Sequence, residues 1–318
     1  LFSGGSLYNP FADYFSSLPP WDGVTDYIGQ LAARVQAEDQ PFWESSFRRW
    51  LVGLVACALD DEVQNQEMLV FHSKQGVGKS TFIRNLLPPE LRTYYRNGRI
   101  NPDNKDHMLM LSTCLIINLE EFDGILANQL ADLKRIIVQD KITERKVYDL
   151  QSSTFIRHAS FVASTNNPYC VQEFGESRRI LLSIVNSIDY SSPVNHQGIY
   201  SQALALYRQG FQYWYEGDEI TSLNNRNENF RLKEPVEENL FFYFRAAKGK
   251  DINAKWYSAS SLLSIISLNG RIQSNRQTQQ MLVAVLNGNK FRTRQTKDGV
   301  TEYWVVEYSQ EERTENSI

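Results

Sequence analysis

The sequence predicts an α/β fold, preceded by a helical region and followed by a small helix-and-hairpin region. Three observations predict it. Between residues 67 and 188 short apolar strands alternate with helical stretches, the pattern of a parallel sheet covered by helices. Residues 1–66 carry apolar side chains at helical spacing. Residues 235–309 read as three helices and then two strands joined by a turn. The expected boundaries are therefore 1–66, 67–220 and 235–309.

In chain order, residues 13–17 lead into the Pro19-Pro20 break, and 22–36 and 41–59 read as helices. Phe47, Trp50, Leu51 and Leu54 mark the buried face of the second. Met68-Leu69-Val70-Phe71 is a strand and 81–87 a helix. Residues 114–121 and 160–168 are further strands, the second ending in polar groups. Residues 200–216 read as one helix rich in aromatics, with Tyr207, Phe211, Tyr213 and Trp214, and 221–234 as a polar linker. Helices are expected at 236–247, 258–268 and 275–286, the last with Met281, Leu282 and Val285 facing a core. Strands at 291–294 and 303–308 meet at Lys297-Asp298-Gly299, a hairpin signal. Three helices and a basic hairpin suggest a winged helix-turn-helix.

The 318 residues are 42% hydrophobic and 22% charged, values of an ordinary soluble globular protein. There is no apolar run of bilayer-spanning length and no signal peptide, so no membrane partner and a cytoplasmic location are expected. Cys57, Cys114 and Cys170 are far apart and form no C-x-x-C pair, which argues against a disulfide or zinc framework. The opening residues read as a piece of a longer chain. A net charge of −4 argues against a protein that coats nucleic acid non-specifically. The charge is uneven, however: residues 235–309 hold 10 basic and 6 acidic side chains. A nucleic-acid contact near the C-terminus and a merely solvated surface both fit that excess.

After the strand at 68–71 comes Ser73-Lys74-Gln75-Gly76-Val77-Gly78-Lys79-Ser80-Thr81, then a helix. This is the strand–loop–helix context of a phosphate-binding loop. Glycines let successive backbone N–H groups turn inward around an anion, and the helix start adds partial positive charge. Lys79 is expected to reach the β- and γ-phosphates of ATP, Ser80 to ligate Mg2+, and Thr81 to assist at the helix start. The loop departs from G-x-x-x-x-G-K-[ST] at one place, Ser73.

The strand at 114–121 ends in Glu120-Glu121, about forty residues after Lys79, with room for one crossover and an intervening strand. Glu120 is assigned to the metal and Glu121 to the attacking water, with Asp123 a third carboxylate nearby. The strand at 160–168 ends in Asn166-Asn167-Pro168. Asn166 is placed to hydrogen-bond both the γ-phosphate and the water; an ordinary Asn-Asn-Pro turn is the alternative. Arg178-Arg179 follow twelve residues on, a guanidinium pair of the kind that stabilises charge on a transferring phosphoryl group, or else a surface ion pair. In ring ATPases such an arginine comes from the neighbouring subunit. Lys141, Arg145 and Lys146 read as basic positions on a hairpin that touches strand phosphates, or as a solvated charged face with Asp140 and Glu144. Arg276, Arg292 and Arg294 are the corresponding DNA-contact candidates in the C-terminal region.

Together, the loop, Ile116-Ile117-Asn118-Leu119-Glu120-Glu121-Phe122-Asp123, Leu133-Lys134-Arg135-Ile136-Ile137, Val162-Ala163-Ser164-Thr165-Asn166-Asn167-Pro168 and Gly175-Glu176-Ser177-Arg178-Arg179-Ile180-Leu181-Leu182 resemble the virulence-associated protein E family. That family is related to superfamily 3 helicases. The resemblance spans about residues 21–188. It implies an AAA+-like P-loop NTPase core with Lys79, Ser80, Glu120, Glu121, Asn166 and Arg178 or Arg179 at the ATPase positions. It also implies ATP and Mg2+ as cofactors, a hexameric ring on single-stranded or forked DNA, and a primase in cis or in trans, all encoded on mobile elements or phages. The function expected is an ATP-dependent DNA helicase motor. The alternatives are a nucleotide-switched DNA-binding regulatory module with little turnover, and a packaging ATPase.

Overall fold

A computed structural model describes residues 9–101, 103–120, 122, 133, 135–137, 139, 141–144, 153–167, 177–231, 233–270 and 272–315. The described chain forms two compact units that divide between Phe230 and Arg231.

The first unit begins with α1 (Pro10–Ser17), capped by Asn9, whose Oδ1 accepts from the N–H groups of Phe11 and Ala12. The helix expected at 22–36 is shorter, α2 (Tyr27–Ala32), followed by strand β1 (Val35–Ala37). Two local effects cut it down. Asp22 turns the backbone by accepting from Val24 N and Thr25 N, and Asp26 caps the helix at Gly29 N. Beyond it, Val35 leaves helical geometry to pair with Ile188 in the sheet. Helix α3 (Gln40–Leu59) follows the expected course, with Trp43, Phe47, Trp50, Leu51 and Leu54 buried.

Next come β2 (Met68–His72), α4 (Lys79–Asn85), β3 (Tyr95–Asn97), α5 (Lys105–Thr113) and β4 (Ile116–Leu119). A two-stranded hairpin, β5 (Lys141–Glu144) with β6 (Ser153–Ile156), precedes β7 (Ser160–Thr165) and β8 (Ile180–Ile188). The main sheet runs β1-β8-β2-β7-β4-β3, parallel except for β1, which is antiparallel to β8. Both faces are covered, which is why the central strands are apolar without alternation. Leu69 and Phe71 join α1–α4 in one core, whereas Met68 and Val70 join α5 and the helical residues Leu133, Ile136 and Ile137 in another.

Arg157 pins that second layer. It is fully buried, and its guanidinium donates to the carbonyls of Asn65, Ala159, Ile136 and Ile137. Burial pushes its pKa down from the usual value.

The aromatic helix expected at 200–216 ends early, as α6 (His196–Arg208). The chain then reverses, with Gly210 N bonded to Tyr207 O and Phe211 N to Leu206 O. The segment expected as a linker instead holds α7 (Asp218–Asn227). Its polar composition hides a docking face. Leu223 is buried, Asn227 Nδ2 donates to Ser177 O and Ile180 O, and Arg226 donates to Leu182 O at 2.6 Å.

The second unit contains α8 (Pro235–Tyr243), β9 (Phe244–Ala246), β10 (Lys255–Ser258), α9 (Ala259–Gly270), α10 (Arg276–Gly288), β11 (Thr293–Gln295), β12 (Thr301–Glu307) and α11 (Gln310–Glu315). The first of these helices is shorter than expected because Phe244 becomes extended and pairs with Glu307. Strand β12 is central, with β10, β11 and β9 all antiparallel to it. Leu240, Phe244, Leu262, Ile266, Leu282 and Val305 share one core. Sequence reading finds the β11–β12 hairpin but not β9 or β10.

Candidate functional site

The parallel sheet brings the ends of β2, β4 and β7 to one edge, and the loops after them line one cleft of about 480 Å³. Gln75–Thr81, Glu120 and Asn166 all border it, although they lie up to 91 residues apart. Strand β3 intervenes in sequence but lies outside β4 in the sheet, where β7 alone separates β4 from β2.

The loop between β2 and α4 needs two of its glycines. Gly76 has φ +86° and Gly78 φ +95°, in the left-handed region that favours glycine. A Cβ on Gly76 would meet nothing within 4 Å, so the loop stands clear over the cleft. Ser73 does not have positive φ, so the backbone demands no glycine there. Its side chain has a role instead. Lys79 Nζ donates to Ser73 O at 2.9 Å, Ser73 Oγ at 2.9 Å, Lys74 O at 3.3 Å and Asn166 Oδ1 at 3.0 Å. The ammonium is thus held at the cleft mouth by loop acceptors and by the residue after β7. Ser80 and Thr81 are exposed beside it, and Glu120 faces the same space from the end of β4.

The structure therefore brings Ser73–Thr81, Glu120 and Asn166 together. Glu121, Arg145 and Lys146 lie outside the described residues. Arg178 and Arg179 are not at this cleft. Ile180 pairs with Met68 at the start of β2, so the arginines sit at the opposite edge of the sheet. They line a second cleft of about 280 Å³ with Glu67, Tyr213, Trp214 and Tyr215. Burial pushes the Glu67 carboxyl up to about 7, opposed by a backbone hydrogen bond at Tyr215 and by the charges of Arg49 and Arg178.

Lys141 belongs to the expected hairpin, but at its base: it pairs with Ile156, and its Nζ lies 3.9 Å from a Glu62 carboxylate oxygen. In the second unit Arg276 opens α10 and is exposed. Arg292 and Arg294 are engaged with tryptophans. Arg292 lies over Trp304 and Arg294 over Trp256, the two indoles stack on each other, and Arg294 also bonds Glu302 at 2.7 Å.

Sequence reading missed Ser164, Thr165 and Tyr190, which border the first cleft, and Glu67 in the second. Tyr190 carries a faint signal: a lone aromatic in the turn Asp189-Tyr190-Ser191-Ser192-Pro193, just past an apolar strand.

Fold and cleft together define an α/β protein whose mixed, doubly covered sheet presents a glycine loop and lysine at one edge. The chain belongs to the virulence-associated protein E-like domain family, whose model matches residues 15–232. No curated protein matches it. Among solved structures it is similar to the A-form apo structure of the NrS-1 C-terminal region (305–718), with TM-score 0.48 and 14% identity, covering 92% of this chain and 78% of that one. A second A-form apo structure of that region gives TM-score 0.46 and 13% identity, over 97% and 80% of the two chains. An apo structure of the same region (305–718) gives 0.45 and 11%, over 96% and 79%. In none of the described residues is a helix long and apolar enough to cross a membrane.

Proposed function

We propose that this chain is the ATPase motor of a DNA helicase that acts in replication of a mobile element or phage. The observation that carries the reading is the convergence of Lys79, Asn166 and Glu120, from three separate strand ends, on one cleft beside the glycine loop. Such a set matches the needs of phosphoryl transfer, where positioning and charge stabilisation do most of the work.

In this reading the loop N–H groups hold the triphosphate and Lys79 exchanges its neutral acceptors for phosphate oxygens. The donor set fits a hard divalent cation: the exposed Ser80 hydroxyl and the Glu120 carboxylate border the same cleft. Bound there, Mg2+ supplies charge neutralisation on the phosphates. Asn166 orients the attacking water, and Glu121 is the group assigned to accept its proton. Arg178 and Arg179, at the far edge of the sheet, complete the cleft of a neighbouring copy rather than their own. The core is then AAA+-like and works as a homo-oligomeric ring, hexameric by family resemblance, with a primase in cis or in trans. The second unit is read as winged-helix-like, with Arg276 at the start of α10 directed to DNA and Arg292, Arg294 and Lys141 as lesser contacts.

The test is the ATPase rate with and without single-stranded DNA, alongside native mass with nucleotide and DNA present. Stimulation by DNA and a ring mass support the proposal. Hydrolysis indifferent to DNA by a protein that stays monomeric refutes it.

A further inference from the structure

The phosphate cleft has an aromatic wall that neither the loop nor the carboxylates account for. Strands β2 and β8 are parallel neighbours, so the loop after β2 and the turn after β8 emerge at the same edge. Tyr190 stands in that turn and borders the cleft. Its ring lies against Gly78 so closely that a Cβ added there would run into ring carbon Cδ1. Yet the residue is 43% exposed, so part of the ring is bare to solvent.

The turn is fixed. The Asp189 carboxylate accepts from Ser191 N at 3.2 Å, Ser191 Oγ at 3.1 Å and Ser192 N at 3.1 Å. Arg34 donates to Ser192 O and Pro193 O, both at 2.8 Å. His196, six residues beyond Tyr190, makes a 2.8 Å hydrogen bond with Asn85 O at the end of α4. An aromatic ring held in place and left part-bare loses little entropy when a flat ligand lands on it. At this spot the flat ligand is defined by its neighbour. A triphosphate in the loop carries a nucleoside, and a nucleobase stacks on an aromatic face irrespective of its edge groups.

We infer that Tyr190 is the stacking platform for the base of the bound nucleotide, and that the cleft therefore favours purine nucleoside triphosphates over pyrimidine ones, because the larger base covers more of the ring. This inference rests on the phosphate-loop reading of residues 73–81. Stacking reads no hydrogen-bonding edge, so Tyr190 by itself does not separate adenine from guanine.

The experiment is titration calorimetry of the full chain, with magnesium, against ATP, CTP and inorganic tripolyphosphate. The variants are Tyr190→Ala, Tyr190→Leu and Tyr190→Phe, each checked for folding by circular dichroism. Loss of one base stack is expected to weaken ATP binding about 5- to 150-fold in the Ala and Leu variants. Tripolyphosphate binding stays unchanged in all variants, Phe retains ATP affinity, and the wild type binds ATP more tightly than CTP. Leu keeps apolar bulk against Gly78 but has no π-face, so full ATP affinity in that variant would make Tyr190 a packing residue and overturn the inference. So would equal loss of ATP and tripolyphosphate in the Ala variant, or Ala binding ATP like the wild type. If the wild type binds neither ATP nor tripolyphosphate, the phosphate-loop reading itself fails and the inference falls with it.

Discussion

Replacing Lys79 with methionine keeps the unbranched stem and removes the ammonium. Among the described residues, four neutral acceptors lie within 3.3 Å of that ammonium. A bound triphosphate offers anionic oxygens instead; the ammonium's bonds are charge-assisted in both states, and what the phosphate adds is opposite-charge attraction, about 4 kcal/mol at 4 Å near a protein surface before lost hydration is set against it. With the lost hydration of both ions set against it, a net gain of about 2 kcal/mol remains, so Lys79→Met should weaken ATP about 30-fold. The fold should barely register the change. Lys79 is only half-buried, and water can serve the acceptors it leaves. The melting temperature should therefore move by no more than about 2–4 °C. Calorimetric titration with ATP and magnesium, paired with thermal melts, measures both numbers. A variant that melts like the wild type and binds ATP within about threefold of it would refute the exchange argument, since a factor of three is about 0.6 kcal/mol.

The remaining predictions concern other parts of the chain. The Glu67 carboxyl is raised from an ordinary 4.5 to about 7 by burial, so the folded state holds its proton where the unfolded state has lost it. Stability falls as pH rises from 4.5 to about 7 and the penalty is complete above that, so Glu67→Gln should stabilise at pH 8, by at most about 3 kcal/mol, and be neutral near pH 4. Denaturant melts of both proteins at the two pH values check this; a gain at pH 4 equal to that at pH 8 contradicts it. Arg157→Met fills the same space but strands four buried carbonyls, and should cost about 3–5 kcal/mol in urea unfolding; a loss under about 1 kcal/mol would mean the carbonyls find other donors. Lys79→Met and the double variant Arg178→Ala/Arg179→Ala should each lack ATPase activity, yet recover it when mixed. With random assembly roughly a quarter of sites pair an intact loop with an intact arginine pair, and no recovery from co-assembled variants would show that the arginines do not act across subunits.

The loop and strand ends were legible because their signals are local. Gly76 and Gly78 announce a backbone that turns through positive φ, and a run such as Ile116-Ile117-Asn118-Leu119 announces a buried strand whatever surrounds it. Ser73 looked like a defect by pattern, but at ordinary φ it costs the loop nothing and gives Lys79 an acceptor. What stayed hidden depends on partners far along the chain. Helix α7 is too polar to read as packed, and its docking runs through Asn227 and Arg226 onto carbonyls of the β8 segment about 45 residues earlier. Strand β1 looks helical because Val35 has no local reason to extend; its reason is Ile188. Arg157 reads as a surface residue, since burial of an arginine without a matching sequence signal is visible only when the carbonyls that surround it are in place.

Strand β8 ties the two proposals together. It carries Arg178-Arg179 just before its first residue, Ile180, and Tyr190 just after its last, Ile188. Nine extended residues span about 30 Å, so β8 separates the two functional ends by the length of the sheet along its strands. A protomer therefore cannot fold its own arginines onto its own nucleotide without breaking the pairing of β8 with β1 and β2. If the arginines act at all, they act on another copy, and the contact must join unlike surfaces: the loop edge of one sheet to the arginine edge of the next. Unlike surfaces that repeat generate a closed ring when the rotation closes and a filament when it does not. On that geometry nucleotide bound against Tyr190 sits between copies, and its hydrolysis changes the contact that holds them. The mixing experiment is therefore more informative than either variant alone, because recovery requires both that the variants co-assemble and that the arginines of one copy reach the loop of the next.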